Sequence, residues 1–203
     1  MMQALEKPIS FDEFIAWYPE NTGIRYELHN GVIVEMPKPR GRHSRASGDL
    51  AFDLGSAIRQ AKLPYFIPKE CIVKVLDQSG YEPDIIVLDE IAIVDEPRWE
   101  RESVIERAAS IRLIVEVVST NWRDDYLTKL AGYEAFGIPE YWIVDYAALG
   151  GKRFIGDPKT PTLSIYTLDE SGEYQFKQFR GNDLIESPTF PNLRLTAGEV
   201  LDR

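Results

Sequence analysis

Two acidic residues, Asp84 and Glu116, are the first candidates for a catalytic or metal-binding role. Asp84 follows Pro83 at the start of an apolar stretch, and Glu116 lies within Ile111–Val118, which is almost continuously apolar. An apolar run of this kind is typical of a strand that is buried on both faces. Because an unpaired carboxylate in such a strand is costly, Glu116 must be paired with a cation such as Arg112 or a lysine, protonated, or bound to a metal ion.

The pair of carboxylates favours the metal-bound alternative. Acidic side chains on neighbouring strands, with backbone carbonyls nearby, supply the oxygen ligands that Mg²⁺ or Mn²⁺ prefers. A nearby lysine or tyrosine could orient or deprotonate a water molecule on that ion. The spacing of Asp125, Lys129 and Tyr133 places them on one helix face, so that Lys129 could point at Glu116. Lys74, on a predicted strand, is a second candidate, although we expect it to be solvated.

The elements that would position these residues alternate between helices and strands. Helical spacing and capping patterns predict helices over Ser10–Tyr18, His43–Ala61 and Asp124–Phe136. Apolar runs and turn residues predict strands over the hairpin Arg25–Met36, Phe66–Leu76, Glu82–Leu88, Ile111–Val118, Tyr141–Asp145, and the hairpin formed by Thr162–Leu168 and Glu173–Phe179. This order predicts an α/β fold with a mixed β-sheet core flanked by helices, in which 111–145 forms a right-handed parallel crossover.

Composition and length are those of one globular domain. The chain has 203 residues, of which 44% are hydrophobic and 28% charged, which argues against disorder. One cysteine and two histidines exclude a disulfide framework and a cysteine-based zinc cluster. Residues 1–10 lack the features of a signal peptide and no apolar run is long enough to span a membrane, so we expect a cytoplasmic protein without membrane contact. The core is expected over about 11–174, with a short, Pro-punctuated C-terminal tail at 182–203.

Charge is distributed unevenly along the chain. The net charge of −10 argues against binding to nucleic acid, because duplex binding depends on neutralisation of phosphates by Lys and Arg. The stretch 82–107 is strongly acidic, whereas 38–45 is basic and also contains His43. A basic run of this kind is usually a solvated loop, but at the mouth of a site it could bind a few phosphates. Its cationic residues are Lys38, Arg40, Arg42 and Arg45.

The order of short motifs resembles one bacterial family. The motifs are Tyr26-Glu27-Leu28 before Asn30-Gly31, His43 at the start of a helix, Pro83-Asp84-Ile85, Glu116-Val117-Val118-Ser119, Lys129 with Tyr133, and Gly137-Ile138-Pro139-Glu140-Tyr141-Trp142-Ile143-Val144-Asp145. Together they resemble the Uma2 family of the PD-(D/E)XK nuclease superfamily, over about 11–174. The resemblance implies a restriction-endonuclease-like fold and a Mg²⁺- or Mn²⁺-dependent nuclease.

The resemblance also implies roles for individual residues. Asp84 and Glu116 would be metal ligands, with the carbonyl of Val117 as a third. Glu27 and His43 would stand at the rim of the site, Glu27 as a further acid near the metal. The superfamily's lysine belongs two residues after the glutamate, where this chain has Val118. The Uma2 pattern moves that lysine to the following helix, where Lys129 fits, with Tyr133 on the same face.

The leading prediction is therefore an endonuclease that hydrolyses nucleic-acid phosphodiester bonds, most readily those of DNA, as a homodimer by analogy with the superfamily. Two alternatives stay open. One is a non-catalytic module of the same fold that binds nucleic acid or a protein. The other is a metal-dependent hydrolase of a small phosphorylated molecule, which the acidic composition favours.

Overall fold

The computed structural model describes residues 7–19 and 22–203. The first six residues of the stretch 1–10, in which no signal peptide is predicted, lie outside that range. The α-helices described are α1 (Phe11–Trp17), α2 (Gly41–Ala61), α3 (Trp99–Glu102), α4 (Leu130–Phe136), α5 (Lys152–Ile155) and α6 (Ala197–Leu201). A π-helical segment, Asp124–Lys129, runs directly into α4, and 3-10 turns span Ala92–Asp95 and Ala108–Ser110. None of these helices combines the length and apolar composition that crossing a bilayer requires.

Two mixed sheets form the centre of the fold. The first contains, in spatial order, β2 (Val32–Met36), β1 (Arg25–His29), β5 (Ser79–Tyr81), β4 (Ile72–Leu76) and β7 (Val104–Ile105). The second contains β11 (Tyr174–Phe179), β10 (Thr162–Leu168), β9 (Glu140–Asp145), β8 (Ile111–Val117), β6 (Ile85–Asp89) and β3 (Tyr65–Phe66). The predicted α/β architecture with a mixed-sheet core is confirmed, although the strands divide between two sheets where one was expected. β8 and β9 pair in parallel, as the predicted crossover requires.

Alternation of side chains along β6 and β8 gives the second sheet two buried faces. Val115 and Val117 pack with Leu50 and Leu54 of α2 on one face. Ile114 packs on the opposite face, in the core that contains buried residues of the first sheet, the π-helical segment and α4. Because alternate residues of a strand face the same side, Glu116 projects with Ile114 toward α4.

Local signals explain the elements that border the site. The Ser10 side chain and Glu13 form the expected capping box at the start of α1. Asn30 and Gly31 both have positive φ, at 50° and 81°, which is the geometry that a two-residue hairpin between twisted strands favours. Gly137 closes α4 in the left-handed conformation, as its position predicted.

Three predictions about elements were wrong. The strand expected over Phe66–Leu76 is interrupted, because Pro68 lacks a donor for a ladder hydrogen bond, and its two ends join different sheets as β3 and β4. The helix expected from His43 begins at Gly41, so the basic run is partly helical. The segment expected as a tail outside the core, 182–203, contributes buried Ile185, Phe190, Val200 and Leu201 to the core beside α2.

Candidate active site

Asp84 directly precedes β6, and Glu116 lies in β8, the strand that pairs with β6. The last paired residues of these antiparallel strands are Ile85 and Val115, and the next residues along the two strands are Asp84 and Glu116. Residues directly opposite in an antiparallel pair have side chains on the same face of the sheet. The Asp84 carboxylate also accepts a hydrogen bond from the Val117 backbone N–H at 2.8 Å. This register brings the two acids to the same end of the β6–β8 pair, and burial together with the Asp84 charge raises the pKa of Glu116.

Lys129 is the cation that Glu116 requires. Its ammonium lies 3.0 Å from Glu116 Oε1 and 3.0 Å from Glu27 Oε1, and only 4% of its side chain is exposed. The expected proximity of Lys129 and Glu116 is confirmed. Burial alone would lower the pKa of Lys129, but the carboxylates of Glu116, Glu27 and Asp125 outweigh it and raise that pKa well above its usual value. Lys129 therefore stays protonated and acts as a hydrogen-bond donor.

Burial also raises the pKa of the Glu116 carboxyl group. The side chain is 3% exposed, and desolvation raises its pKa to about 7 despite the attraction of Lys129. Tyr133 Oη donates a second hydrogen bond to the same oxygen, Oε1, at 2.9 Å. The pKa of Tyr133 is raised well above its usual value, chiefly by burial, so the phenol keeps its proton. Two donors thus fix one oxygen of Glu116, and Oε2 has no hydrogen-bond partner among the described residues.

Glu27 is held from three sides. It accepts hydrogen bonds from the backbone N–H of Glu82 at 3.0 Å and from His29 Nε2 at 2.8 Å, and it forms an ion pair with Lys129 at 3.0 Å. Lys129 and His29 lower its pKa against the opposing effect of burial. His29 lies next to the hairpin turn, yet its side chain is only 14% exposed. It follows Glu27 by two residues on β1, and that spacing on a strand is the signal that places both side chains on one face.

His43 connects the helix α2 to β8. Its Nε2 lies 2.8 Å from the carbonyl oxygen of Val117 and 3.4 Å from Asp84 Oδ2. Nε2 therefore carries the proton, while Nδ1 is buried and has no hydrogen-bond partner among the described residues. Burial would lower the pKa of His43, but the contact with Asp84 outweighs it and raises that pKa. His43 thus reaches the centre of the site and not only its rim.

Asp125 is a further acid at the site. It lies in the π-helical segment, whose wider turn replaces the first part of the predicted α-helix. The residue is 8% exposed, and burial raises its pKa well above the usual value. Its carboxylate has no ion-pair or hydrogen-bond partner in the described part of the chain. The four-residue spacing to Lys129 signalled its position, and the structure adds it to the site.

The basic run 38–45 divides into two parts. Lys38 and Arg40 are exposed and line the cavity over the two acids. Arg42 lies over the ring of Tyr146, with its guanidinium carbon 4.8 Å from the ring centroid. Arg45 does not line the cavity: it is exposed and lies 3.4 Å from Asp49, one turn further along α2. Because Arg45 lies on the helix and not in the loop, only part of the run borders the site.

Other candidates lie elsewhere. Lys74 is one-quarter exposed, outside the cavity, and lies 3.5 Å from Glu106. Arg112, considered as a partner of Glu116, instead donates to Asp89 from Nε at 2.9 Å. Arg123 is exposed against Trp122. Tyr141 and Trp142 are fully buried, as expected for core residues.

The free oxygen atoms at the site fit a hard divalent ion that binds only a few protein atoms and keeps several waters. Asp84 Oδ1 and Glu116 Oε2 have no hydrogen-bond partner within the described residues, and the Val117 carbonyl keeps a second lone pair beside His43. No group of three or more His, Cys, Asp or Glu side chains within the described ranges is arranged to hold a metal. Two carboxylates with a carbonyl and water suit Mg²⁺, which usually keeps several waters.

These groups line one cavity of about 400 Å³. Its described lining contains seven carboxylates and four Lys or Arg side chains, a formal charge of −3 with the histidines neutral. Two of the four cations are already paired: Arg25 lies 3.1 Å from Glu82, and Lys129 contacts two acids. An anion that approaches the acids therefore meets a net negative lining, in which Lys38 and Arg40 have no ion-pair partner among the described residues.

Comparisons with known proteins support the fold and show the family. A solved structure, the "crystal structure of a putative nuclease belonging to DUF820 from Anabaena variabilis ATCC 29413", superposes with a TM-score of 0.71 at 21% sequence identity, covering 96% of this chain and 98% of that one. The curated proteins contain no match to this chain. The family model Uma2, described as "putative restriction endonuclease", matches residues 11–198. The chain therefore belongs to the Uma2 family.

Proposed function

We propose that this chain is a divalent-metal-dependent nuclease that hydrolyses phosphodiester bonds of nucleic acid, with DNA as its substrate, in the cavity over Asp84 and Glu116. The observation that carries the proposal is that Asp84 and Glu116 lie at the same end of the paired strands β6 and β8, with Lys129 3.0 Å from Glu116. Membership in a family described as putative restriction endonucleases supports the reaction class.

Asp84, Glu116 and the Val117 carbonyl would hold Mg²⁺ or Mn²⁺. The ion would polarise the scissile phosphate and lower the pKa of the attacking water. Lys129 keeps its proton, so it acts as a fixed positive charge that orients the Glu116 carboxylate and stabilises negative charge at the phosphate. Tyr133 holds the same carboxylate oxygen, and Glu27 holds Lys129 in place. His43 fixes the Val117 carbonyl and lies beside Asp84.

Cleavage of labelled DNA and RNA by the purified chain tests the proposal. We expect cleavage with Mg²⁺ or Mn²⁺, none with EDTA, and loss of activity in Asp84→Asn and Glu116→Gln. Glu35→Gln is the matched control, because Glu35 lines the same cavity but is exposed. Absence of cleavage with every nucleic acid and both metals would overturn the proposal.

The two lysines provide an internal test. Lys129→Ala should reduce turnover by on the order of 10²-fold or more, while metal binding survives because both acids remain. Lys74→Ala should change turnover little, since Lys74 pairs with Glu106 outside the cavity. If Lys74→Ala abolished cleavage and Lys129→Ala did not, the role given to Lys129 would belong to Lys74. If neither substitution mattered while Asp84→Ala abolished cleavage, the water would be activated by the metal alone.

Hydrolysis of a small phosphorylated molecule is the second candidate, and the small, net negative cavity favours it. It predicts turnover of a nucleotide or phosphate ester with no cleavage of polymeric DNA.

A homodimer and a cytoplasmic location complete the proposal. Light scattering of the purified chain tests the first, and fractionation of cells that express it tests the second.

A further inference from the structure

The cavity departs from what an intact duplex requires. Glu116 is 3% exposed and lines a cavity of about 400 Å³. That volume lies in the range of pockets that enclose a single small molecule, about 300–1,000 Å³. Duplex DNA is stiff over about 50 nm, so presenting its backbone within such a cavity requires bending or unstacking. A single strand is flexible enough to place one nucleotide there without that cost.

The cations available for phosphate contacts are few. Lys38 and Arg40 are exposed, line the cavity, and have no ion-pair partner among the residues described. Arg25 and Lys129, the other cationic members of the lining, are engaged by acids. Specific duplex-binding proteins commonly make about 6–10 phosphate contacts, and this cavity supplies two, or three with Arg42 nearby.

An aromatic ring completes the set of groups that a single strand would use. Tyr146 is half-buried and lines the cavity, and the Arg42 guanidinium lies over its ring at 4.8 Å. Base–aromatic stacking next to a basic wall is the common basis of single-strand recognition. The lining also includes apolar Met36, Pro37 and Pro39, which a base can contact.

We propose that the cavity binds single-stranded nucleic acid in preference to an intact duplex, with Lys38 and Arg40 each contacting one phosphate and a base contacting Tyr146 together with the Arg42 guanidinium that lies over its ring. The inference rests on the proposed function, because the bound phosphate would lie over Asp84 and Glu116. It specifies the substrate class more narrowly than the family description does.

The test measures binding separately from cleavage. Fluorescence polarisation would compare a labelled single strand of about eight nucleotides with a blunt duplex of the same sequence, in Ca²⁺, at several concentrations of monovalent salt. For two or three phosphate contacts to a single strand, the slope of log K against log salt should be about −1.4 to −2.1. Tighter binding of the single strand with that slope would support the proposal. Tighter binding of the duplex, with a slope of about −5 to −9, would overturn it.

Variants assign the contacts. Lys38→Ala and Arg40→Ala should each reduce the magnitude of the slope by about 0.7, whereas Arg45→Ala should leave it unchanged. Tyr146→Leu should weaken binding by about 5- to 150-fold, and Tyr146→Phe, which keeps the ring, should retain wild-type affinity. Equal slopes for the Lys38 and Arg45 variants would contradict the assignment, as would equal affinity of a nucleoside monophosphate and the oligonucleotide.

The outcomes separate this inference from the nuclease proposal. Single-strand binding without cleavage in Mg²⁺ or Mn²⁺ would refute the nuclease and leave the binding inference standing. Cleavage of a blunt duplex as fast as of the single strand, with the steep salt slope, would refute this inference and leave the nuclease standing.

Discussion

Replacing Lys129 with methionine tests the electrostatics of the site most sharply. The substitution keeps the length of the side chain and removes a positive charge that is 3.0 Å from each of two carboxylates. Both carboxylates are at most 3% exposed, so the variant would contain two buried acids without their cation. Breaking a buried ion pair by removing one partner costs about 3–5 kcal/mol. At about 2–4 °C per kcal/mol for a chain of this size, we expect the melting temperature to fall by about 6–20 °C.

The destabilisation should depend on pH. Without Lys129, the pKa of Glu116, already raised to about 7 by burial, should rise further. A carboxyl whose pKa is raised in the folded state stabilises that state when it takes up a proton. Glu27, whose pKa is lowered by Lys129 in the wild-type chain, loses the same partner. The cost of Lys129→Met should therefore be greatest near pH 8 and should shrink as the pH falls toward about 5, because Glu116 and then Glu27 take up protons in the folded variant.

Urea unfolding followed by tryptophan fluorescence, at both ends of that pH range, measures the effect. Lys74→Met is the matched control, because Lys74 forms a partly exposed pair with Glu106 at 3.5 Å and should cost at most about 1 kcal/mol at either pH. A loss below about 1 kcal/mol in Lys129→Met, or an equal loss at both pH values, would refute the reasoning.

Three further predictions concern stability and metal binding. Tyr133→Phe removes the hydrogen bond to Glu116 and should lower the free energy of unfolding by about 1.5–3 kcal/mol in urea titrations, and no change would contradict this. Gly80→Ala places a methyl group 2.3 Å from the Phe11 ring and should cost about 1–3 kcal/mol, whereas Gly55→Ala on α2, where nothing lies within 4 Å, should not destabilise. The rise in melting temperature on adding Mn²⁺ should increase from about pH 6 to about pH 8, because Glu116 must lose its proton to bind the ion, and a pH-independent rise would argue for another ligand.

Local sequence signals predicted much of the fold. The Asn30-Gly31 hairpin, the capping box of α1 and the Gly137 cap each depend on a few adjacent residues, so their conformations follow from local energetics. Glu116 stood out because an acid in an apolar strand needs a partner. Four-residue spacing on a helix then pointed from Lys129 to that strand.

What could not be predicted depends on contacts between distant segments. Pro68 ends one strand, but no local feature tells which sheet each end joins. Asp125 and Lys129 are both buried in a π-helical segment, whereas the spacing of the sequence predicted an ordinary α-helix there. Phe190 and Leu201 follow proline-rich sequence without a periodic pattern, so their burial against α2 is visible only in three dimensions.

Crystals of the chain soaked in Mn²⁺ provide the most direct test of the account. Anomalous scattering should place one ion between Asp84 and Glu116, with carboxylate oxygens at about 2.1 Å and Lys129 still beside Glu116. Crystals of Glu116→Gln treated in the same way should lack that ion. A wild-type crystal at saturating Mn²⁺ with no ion between the two carboxylates would contradict the proposal that they form a metal-dependent hydrolytic centre.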